Sequence, residues 1–316
     1  MCIRDSYKVN SRGRDCLCYA PIGIAVLDYI QLYRKFTYTE QESYRLDYIA
    51  QVELNEGKID YRDEGYTDLD DLRLRNFQRY IEYNVRDVEI VERLEDKLKL
   101  IELVYALAYD AKVNYEDTMT TVKQWDVITH NYLLDRNIVV PLNDKNKPDR
   151  AFVGGYVKDP KVGMSKWVVS FDLNSLYPHL IMQYNISPET LVTRLKDKVS
   201  IDDLLVGGAS QFGDYLDKTN CTIAANLCIY TKEKRGFLPS IMDRMYDDRT
   251  KYKKQMIEVK KEYEKTKDPR LVKEIARLDN MQMAKKIQLN SAYGALGNKW
   301  FRWFDVNNAE AITTSG

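Results

Sequence analysis

The sequence is short of the residues that build thiolate or imidazole centres, with five cysteines and two histidines among 316 residues. No two cysteines have the Cys-x-x-Cys spacing, and the closest pair, Cys16 and Cys18, has too few histidine partners for a zinc site. The odd number of cysteines also argues against a secreted, disulfide-stabilised domain. These scarcities favour a reduced, cytoplasmic protein.

Long apolar runs and a net charge are missing as well. No run reaches the length of a membrane span, and the start has no signal-peptide pattern, so the sequence predicts no membrane partner. The 48 basic residues are matched by 48 acidic residues, so any field that attracts an anion must be local. The segment 232–262 has ten Lys and Arg against six Asp and Glu, whereas the segment 62–96 has six against eleven.

Length and periodicity predict an α+β protein of one large or two moderate domains. Apolar residues recur at three- and four-residue spacing, and Lys267-Asp268-Pro269 interrupts the longest such segment, which predicts two antiparallel helices joined as a hairpin. A linker is predicted at 143–150, where polar residues and a proline cluster. Helices are predicted at 76–107, 120–134, 175–184, 240–266 and 270–292, and strands at 22–27, 167–171, 222–230 and 299–304.

Two short stretches carry the chemistry. The first, Ser-Phe-Asp-Leu-Asn-Ser-Leu-Tyr-Pro at 170–178, places Asp172 at the end of the predicted apolar strand. A carboxylate in this position is a suitable ligand for Mg²⁺, which prefers oxygen ligands. The alternative is that Asp172 starts a turn and caps the helix that begins near Ser175.

The second stretch, Lys-Ile-Gln-Leu-Asn-Ser-Ala-Tyr-Gly, begins at Lys286 and places Asn290 and Tyr293 on the same helical face as that lysine. Arg249 and Lys253 are four residues apart and share a face of the preceding helix. Three cations from two helices suit a triphosphate, and an arginine can bind it through two parallel hydrogen bonds. The alternative is that these cations are merely solvated, as is expected of the other lysines on the first helix.

Both stretches resemble signature motifs of family B DNA polymerases, in particular of the T-even-type phage branch. Asp-x-x-Ser-Leu-Tyr-Pro from Asp172 is similar to the family's motif A, and Lys-x-x-x-Asn-Ser-x-Tyr-Gly from Lys286 to its motif B. Tyr83 and Asp87 form a Tyr-x-x-x-Asp that resembles the third exonuclease motif. The first two exonuclease motifs and the second carboxylate motif of the palm have no counterpart, so the resemblance implies an internal fragment.

The resemblance implies roles for these residues. Catalysis is assigned to Asp172, Lys286, Tyr83 and Asp87, and metal binding to Asp172, to Asp87 and to the carbonyl oxygen of Leu173. A tyrosine at 177 would lie beneath the sugar and leave no room for a 2′-hydroxyl. The alternative is that Tyr177 is a buried core residue, and Tyr83 could equally be one. The residues implied to bind nucleotide are Leu173, Asn174, Ser175, Leu176, Tyr177, Arg249, Lys253, Lys286, Asn290 and Tyr293, and those implied to contact DNA are Tyr293 and Gly294.

The resemblance also implies a division of the chain. Residues 11–142 would be the C-terminal part of an RNase H-like 3′–5′ exonuclease domain, after a start at 1–10 that resembles nothing in the family and is interpreted as non-native. The linker 143–150 would lead into the palm with its antiparallel sheet. The remaining segments would be the first part of the palm at 151–232, the helical-hairpin fingers at 233–290 and a return to the palm at 291–316.

The implied function is that of a template-directed DNA-dependent DNA polymerase with an associated 3′–5′ exonuclease, acting in DNA replication. Two Mg²⁺ ions per site, or Mn²⁺ in their place, would be the cofactors. Primer–template DNA and deoxynucleoside triphosphates would be the partners, with a sliding clamp bound through regions outside this chain. The isolated chain is expected to bind a triphosphate weakly and not to extend primers. The alternative is a non-catalytic DNA- or nucleotide-binding remnant or a split subunit.

Overall fold

The computed structural model describes residues 4–11, 14–21, 23–37, 39–144, 147, 154–155, 157–195 and 212–316. The chain divides into two compact units, the first formed by 1–105 and 114–119 and the second by 106–113 and 120–316. Helices predominate in the described residues, beside two small antiparallel sheets. The predicted α+β class is therefore confirmed.

The first unit is a β-hairpin and a set of helices. In the hairpin, Arg4 pairs with Pro21 and Ser11 with Arg14. The apolar run predicted as a strand at 22–27 is not one, because residues 23–27 form no strand and Asp28 already caps the next helix through Ile30 N. The elements of this unit are β1 (Arg4–Ser11), β2 (Arg14–Pro21), α1 (Tyr29–Phe36), α2 (Leu46–Leu54), α3 (Leu69–Arg75), α4 (Phe77–Leu98) and the beginning of α5 (Leu100–Ala111).

The second unit contains a three-stranded antiparallel sheet and the longest helices. Its sheet has the order β3-β5-β4, with Arg194 opposite Cys228 and Ile223 opposite Ile229. After the end of α5, its elements are α6 (Thr121–Leu134), α7 (Leu176–Tyr184), β3 (Leu191–Arg194), α8 (Gly213–Thr219), β4 (Cys221–Ile223), β5 (Cys228–Thr231), α9 (Phe237–Thr266), α10 (Pro269–Leu296) and α11 (Val306–Ser315).

The core of the second unit joins these elements. Ile181 of α7, Ile241 of α9 and Ile312 of α11 are fully buried in one apolar cluster with Tyr230 of the sheet and Leu289 of α10. Burying side chains of this size stabilises a fold by roughly 1.5–3 kcal/mol each. The cluster therefore fixes α7, α9 and α10 against one another.

The helix α6 also belongs to this core. The indole of Trp125 is buried, and its Nε1 donates to Ser291 Oγ at 3.2 Å and to the carbonyl oxygen of Gln288 at 3.3 Å. As a result, the division between the two units falls at 105–120, earlier in the chain than the linker predicted at 143–150. Most of that linker lies outside the described residues.

The helical hairpin forms where the sequence predicts it. The helix α9 ends at Lys267, which has the left-handed backbone (φ 54°) that terminates helices. Asp268 then caps α10 by accepting a hydrogen bond from Arg270 N at 2.9 Å, and Pro269 occupies the first turn, where its missing N–H costs nothing.

Three further strand predictions are wrong. Residues 167–171 form no strand and are exposed, because a strand needs hydrogen bonds to a neighbouring strand and the described residues place none beside this segment. Residues 299–304 form turns instead, with Phe301 N donating to the carbonyl oxygen of Asn298 at 2.9 Å. The segment 222–230 is two strands, β4 and β5, because the chain reverses at Ala224–Leu227.

In the parts of the chain that the structure describes, no helix has the length and apolarity that crossing a bilayer requires.

Candidate functional site

A cavity of about 410 Å³ lies in the second unit. It is lined by the segment before α7, by the first turn of α7, and by one face each of α9 and α10. Most of the residues predicted to bind nucleotide are therefore brought together. The lining residues are Asp172, Leu173, Asn174, Ser175, Leu176, Tyr177, Pro178, Arg249, Lys286 and Asn290.

Ser175 lines this cavity and has an unusual backbone conformation. It is the N-cap of α7 and lies in the left-handed region (φ 53°). Its hydroxyl accepts a hydrogen bond from Arg249 Nη1 at 3.1 Å. Its carbonyl oxygen lies 2.8 Å from His179 Nδ1, and since a carbonyl can only accept, that nitrogen carries the hydrogen. Ser175 is thus held on both its side chain and its backbone.

Asp172 does not cap α7. The N-cap is Ser175, and no side chain donates or accepts at that cap. The Asp172 side chain is exposed at the cavity and makes no hydrogen bond or ion pair with any other described residue. The capping alternative is therefore wrong, and the carboxylate is available to a ligand. Leu173, whose carbonyl was predicted to assist it, lies next to it in the cavity wall.

Arg249 and Lys286 supply positive charge from two helices. The Arg249 side chain is half-buried, and its Nε is buried without a hydrogen-bond partner among the described residues. The guanidinium therefore has donors left for an anion in the cavity. Lys286 lines the same cavity from α10. Lys253, one turn beyond Arg249, is exposed and does not line it.

The predicted face of α10 continues beyond the cavity. Asn290 lines it, and Tyr293 contacts Tyr177 edge to face, with ring centroids 4.9 Å apart and planes at 61°. Burial, with a smaller contribution from Tyr177, raises the pKa of Tyr293. Gly294 is exposed on this helix and a Cβ there would meet nothing. The helix continues past it to Leu296, with Gly297 as its C-cap.

Tyr177 packs tightly at the edge of the cavity. A Cβ on Gly155 would lie only 3.1 Å from its hydroxyl oxygen, which is closer than ordinary van der Waals contact. The ring also packs against the core of the second unit. Tyr177 is therefore both a cavity residue and a packing residue, so the two interpretations of this tyrosine are compatible.

Lys285, which directly precedes the cavity-lining Lys286, is a buried charged residue that the sequence reasoning missed. It is 7% exposed, and its Nζ lies 2.6 Å from Asp110 Oδ1 and 3.3 Å from Asp248 Oδ2. The signal was present in the periodicity, because Lys285 falls in the seam of buried residues on α10 together with Leu278, Leu289 and Ala292. A lysine in an apolar seam points to a buried ion pair.

The first unit holds the predicted pair Tyr83 and Asp87 on α4. Lys58, which the sequence reasoning did not identify, lies with its Nζ 2.7 Å from Asp87 Oδ2 and 4.6 Å from the centre of the Tyr83 ring. Burial lowers the pKa of Lys58, but its hydrogen bonds to Asp87 and Tyr83 outweigh this effect and raise the pKa overall. Asp87 Oδ1 is buried and has no partner among the described residues.

Within the described ranges, no three or more His, Cys, Asp or Glu side chains cluster so as to hold a metal ion. Among the residues that line the cavity, Asp172 supplies the one carboxylate, and Asn174 and Asn290 have amide oxygens. One carboxylate fits a hard divalent cation such as Mg²⁺ that takes its other ligands from water and substrate phosphates.

The chain is similar to known proteins over most of its length. The family model described as DNA polymerase family B matches residues 116–316, which is more than half of the chain and includes every residue that lines the cavity. The chain is similar to the DNA-directed DNA polymerase of Escherichia phage RB69, with 34% identity over 93% of the chain. It is also similar to that of Enterobacteria phage T4, with 33% identity over 94% of the chain.

A more distant relative is DNA polymerase 1 of Pyrococcus abyssi, with 29% identity over 77% of the chain and 28% of that protein. The chain spans 36% of the length of each of the two phage polymerases. The match of the family model over more than half of the chain shows that the chain belongs to DNA polymerase family B.

Proposed function

We propose that the cavity of the second unit binds the deoxynucleoside triphosphate in a template-directed, replicative DNA polymerase. The observation that carries the proposal is the convergence of one unpaired carboxylate, Asp172, with the cations Arg249 and Lys286 on a single cavity. The printed names of the two phage relatives, DNA-directed DNA polymerase, support it.

Phosphoryl transfer requires a protein mainly to position groups and to neutralise charge. Arg249 is suited to bind the triphosphate because it lines the cavity and, among the described residues, hydrogen-bonds through its Nη1 alone, to Ser175. Lys286 adds a second positive charge from the opposite helix. Backbone N–H groups at the start of α7, around Ser175 and Leu176, favour negative charge there.

Asp172 and the carbonyl oxygen of Leu173 are the groups that would hold Mg²⁺. When bound, a divalent ion would act as a Lewis acid on the phosphates. Asn174 lines the cavity between these groups and Ser175, and we assign it to nucleotide binding. Lys253 is assigned an outer role, in which its exposed ammonium attracts the anion from one turn further along α9.

We assign the sugar and the base of the nucleotide to the side of the cavity where Tyr177 and Tyr293 pack together. The Tyr177 ring, held by Tyr293 and packed near Gly155, would lie beneath the deoxyribose and exclude a 2′-hydroxyl. Asn290 would contact the nucleotide, and Tyr293 and the exposed Gly294 would contact primer–template DNA. The half-buried, mutually packed rings support this assignment because a rigid ring excludes a bulky substituent better than a mobile one.

We further infer the division of the chain. Residues 233–290, which contain α9 and most of α10, correspond to the fingers hairpin, whereas 151–232 and 291–316 correspond to parts of the palm. Residues 11–142 correspond to the end of a 3′–5′ exonuclease domain with an RNase H-like fold. Tyr83 and Asp87 would act there, and the contact of Lys58 with both supports a shared site.

A second candidate function is that of a nucleotide-binding remnant or split subunit without catalysis. It is favoured by one observation, the single carboxylate that lines the cavity among the described residues. Primer extension in the presence of Mg²⁺ separates the two candidates. Extension that Asp172→Ala abolishes favours the polymerase, whereas nucleotide binding without extension favours the remnant.

Both candidate functions require nucleotide binding, which is tested by measuring the equilibrium binding of dATP to the chain with and without Mg²⁺. We expect Arg249→Ala to weaken binding by about 2 kcal/mol, as for other preorganised charge contacts. Lys251→Ala is the matched control, because Lys251 is an exposed cation on the same helix and does not line the cavity. Asp172→Asn should remove only the part of the affinity that depends on Mg²⁺. Equal dissociation constants for Arg249→Ala and Lys251→Ala would refute the proposed site.

A further inference from the structure

Lys285 is a charged group buried in a place where an apolar side chain would pack. Its neighbours along the α10 seam are Leu278, Leu289 and Ala292, all of them buried. Burying an ammonium is costly unless it is paired. Lys285 is paired twice, with Asp110 Oδ1 at 2.6 Å and with Asp248 Oδ2 at 3.3 Å.

The two carboxylates belong to different helices. Asp110 lies at the end of α5 and Asp248 lies on α9, so that Lys285 of α10 links three helices through one nitrogen. Asp248 directly precedes Arg249, and Lys285 directly precedes Lys286. The ion pairs are therefore one residue away from each of the two cations that line the cavity.

This adjacency has a geometric consequence. Successive residues of an α-helix are rotated by about 100°, given 3.6 residues per turn. Fixing the direction of Lys285 therefore fixes the direction in which Lys286 points, and fixing Asp248 does the same for Arg249. An ion pair between α9 and α10 at this level sets the rotation of both helices about their axes.

Stability alone does not account for the arrangement. Replacing a buried ion pair by well-packed apolar residues is often neutral or stabilising, so a buried pair is weak evidence for a stabilising role. A directional contact, by contrast, specifies one of several packings that apolar side chains would tolerate. The hydrogen bonds from Trp125 to Gln288 and Ser291 tie this part of α10 to α6, whereas the ion pair with Asp248 ties it to α9.

We propose that Lys285 is a positioning residue, which holds Arg249 and Lys286 toward the cavity through its ion pairs with Asp248 and Asp110 and so sets the affinity for the triphosphate. The proposal rests on the proposed function only in naming a triphosphate as the ligand. Lys285 itself does not line the cavity. It acts through its two neighbours.

The experiment measures the dissociation constant of the full chain for dATP with Mg²⁺ and, separately, its thermal unfolding. Lys285→Met keeps the apolar stem and removes the ammonium. We expect its dissociation constant to rise roughly tenfold, because small displacements of binding groups are expensive. The unfolding temperature should fall, because Asp110 and Asp248 lose their shared partner. A merely structural lysine would lower the unfolding temperature but leave the dissociation constant of the folded chain unchanged, and that outcome would overturn the proposal.

A second variant distinguishes the loss of positioning from the change in local charge. Lys285→Met changes the formal charge of the three-residue cluster from −1 to −2, which by itself repels a triphosphate. The double variant Lys285→Met/Asp248→Asn returns the charge to −1 without restoring the ion pair. Continued weak binding supports positioning, whereas recovery of the wild-type dissociation constant overturns it in favour of a field effect.

Two further variants keep the test decisive if Lys285→Met does not fold. Asp110→Asn leaves the pair with Asp248 in place and should weaken dATP binding less than Asp248→Asn does. Equal affinity of both variants and the wild-type chain would overturn the proposal. A wild-type chain that binds no dATP would instead refute the proposed function, so the two failures are distinguishable.

Discussion

Neighbouring residues in the two motifs differ in what holds them. Ser175 is fixed by Arg249 and His179, whereas Asp172, three residues earlier, contacts no described partner through its carboxylate. Lys285 is buried in an ion-pair cluster, whereas Lys286 faces the cavity. Side chains that line the cavity, such as Asp172 and Lys286, are the ones expected to meet a ligand, and the fixed residues beside them are expected to orient them.

Tyr177 should determine the preference for deoxyribose. We expect Tyr177→Ala to bring the dissociation constants of ATP and dATP close together, because the space occupied by the ring becomes available to the 2′-hydroxyl. Tyr177→Phe is the matched control and should keep the preference, since the ring remains and only its hydroxyl is lost. The measurement is competition between the two nucleotides, and a preference unchanged in Tyr177→Ala would contradict the assignment.

Lys58 should make the stability of the first unit depend on alkaline pH. Its pKa is raised in the folded chain, so folding favours the protonated ammonium. This contribution is complete below the unfolded pKa of about 10.4 and is lost as the pH rises through the higher folded value. The difference in unfolding free energy between wild type and Lys58→Met should therefore be constant from neutral pH upward and shrink only above that unfolded value.

The control for this pH dependence is Lys261→Met, which alters an exposed lysine of α9. Its unfolding free energy should differ little from that of the wild-type chain at any of these pH values. Chemical denaturation monitored by circular dichroism provides the measurement. A difference between wild type and Lys58→Met that grows with pH would show that the sign of the effect has been misassigned.

At the scale of elements, helices were easier to predict than strands. The hairpin turn was located from Lys267-Asp268-Pro269 alone, because caps and turn residues act locally. The strands at 167–171 and 299–304 were not found in the structure, because a strand depends on a partner distant in sequence. Lys58 and Lys285 were not predicted either, because their roles depend on tertiary contacts. The cavity-lining face of α10, by contrast, was predicted from helical spacing.

The hairpin turn offers a test of helix termination. Lys267 has φ 54°, a conformation that glycine adopts without strain, so Lys267→Gly should stabilise the chain by about 0.5–1 kcal/mol. The loss of its contact with the Tyr263 ring, at 5.3 Å, works weakly in the other direction. Lys265→Gly, two residues earlier and inside the helix, should destabilise by about 1 kcal/mol. Urea denaturation of both variants checks this, and equal effects would contradict the capping geometry.

At the scale of the whole molecule, charge is balanced but unevenly distributed. The chain has no formal net charge, so the attraction of a triphosphate depends on the few cations that the second unit brings to its cavity. All residues lining the cavity belong to that unit. Binding should therefore protect a small and identifiable part of the backbone.

Hydrogen exchange should locate that part. We expect dATP with Mg²⁺ to slow amide exchange at 172–179 and in the cavity-lining turns of α9 and α10, because a bound ligand suppresses local opening. Exchange in α3, which lines no part of this cavity, serves as the internal control. Protection centred on α3, with none at 172–179, would place the nucleotide elsewhere.

At Ser175, the requirements of stability and of nucleotide binding differ. A left-handed backbone costs a residue with a side chain about 1 kcal/mol, and glycine would remove that cost. Glycine would also remove the hydroxyl that holds Arg249 at 3.1 Å. Because the two effects on stability oppose each other, a library selected for thermal stability should tolerate Ser175→Gly, whereas one selected for nucleotide binding should discard it. At this position the trade-off between stability and activity comes down to a single oxygen atom.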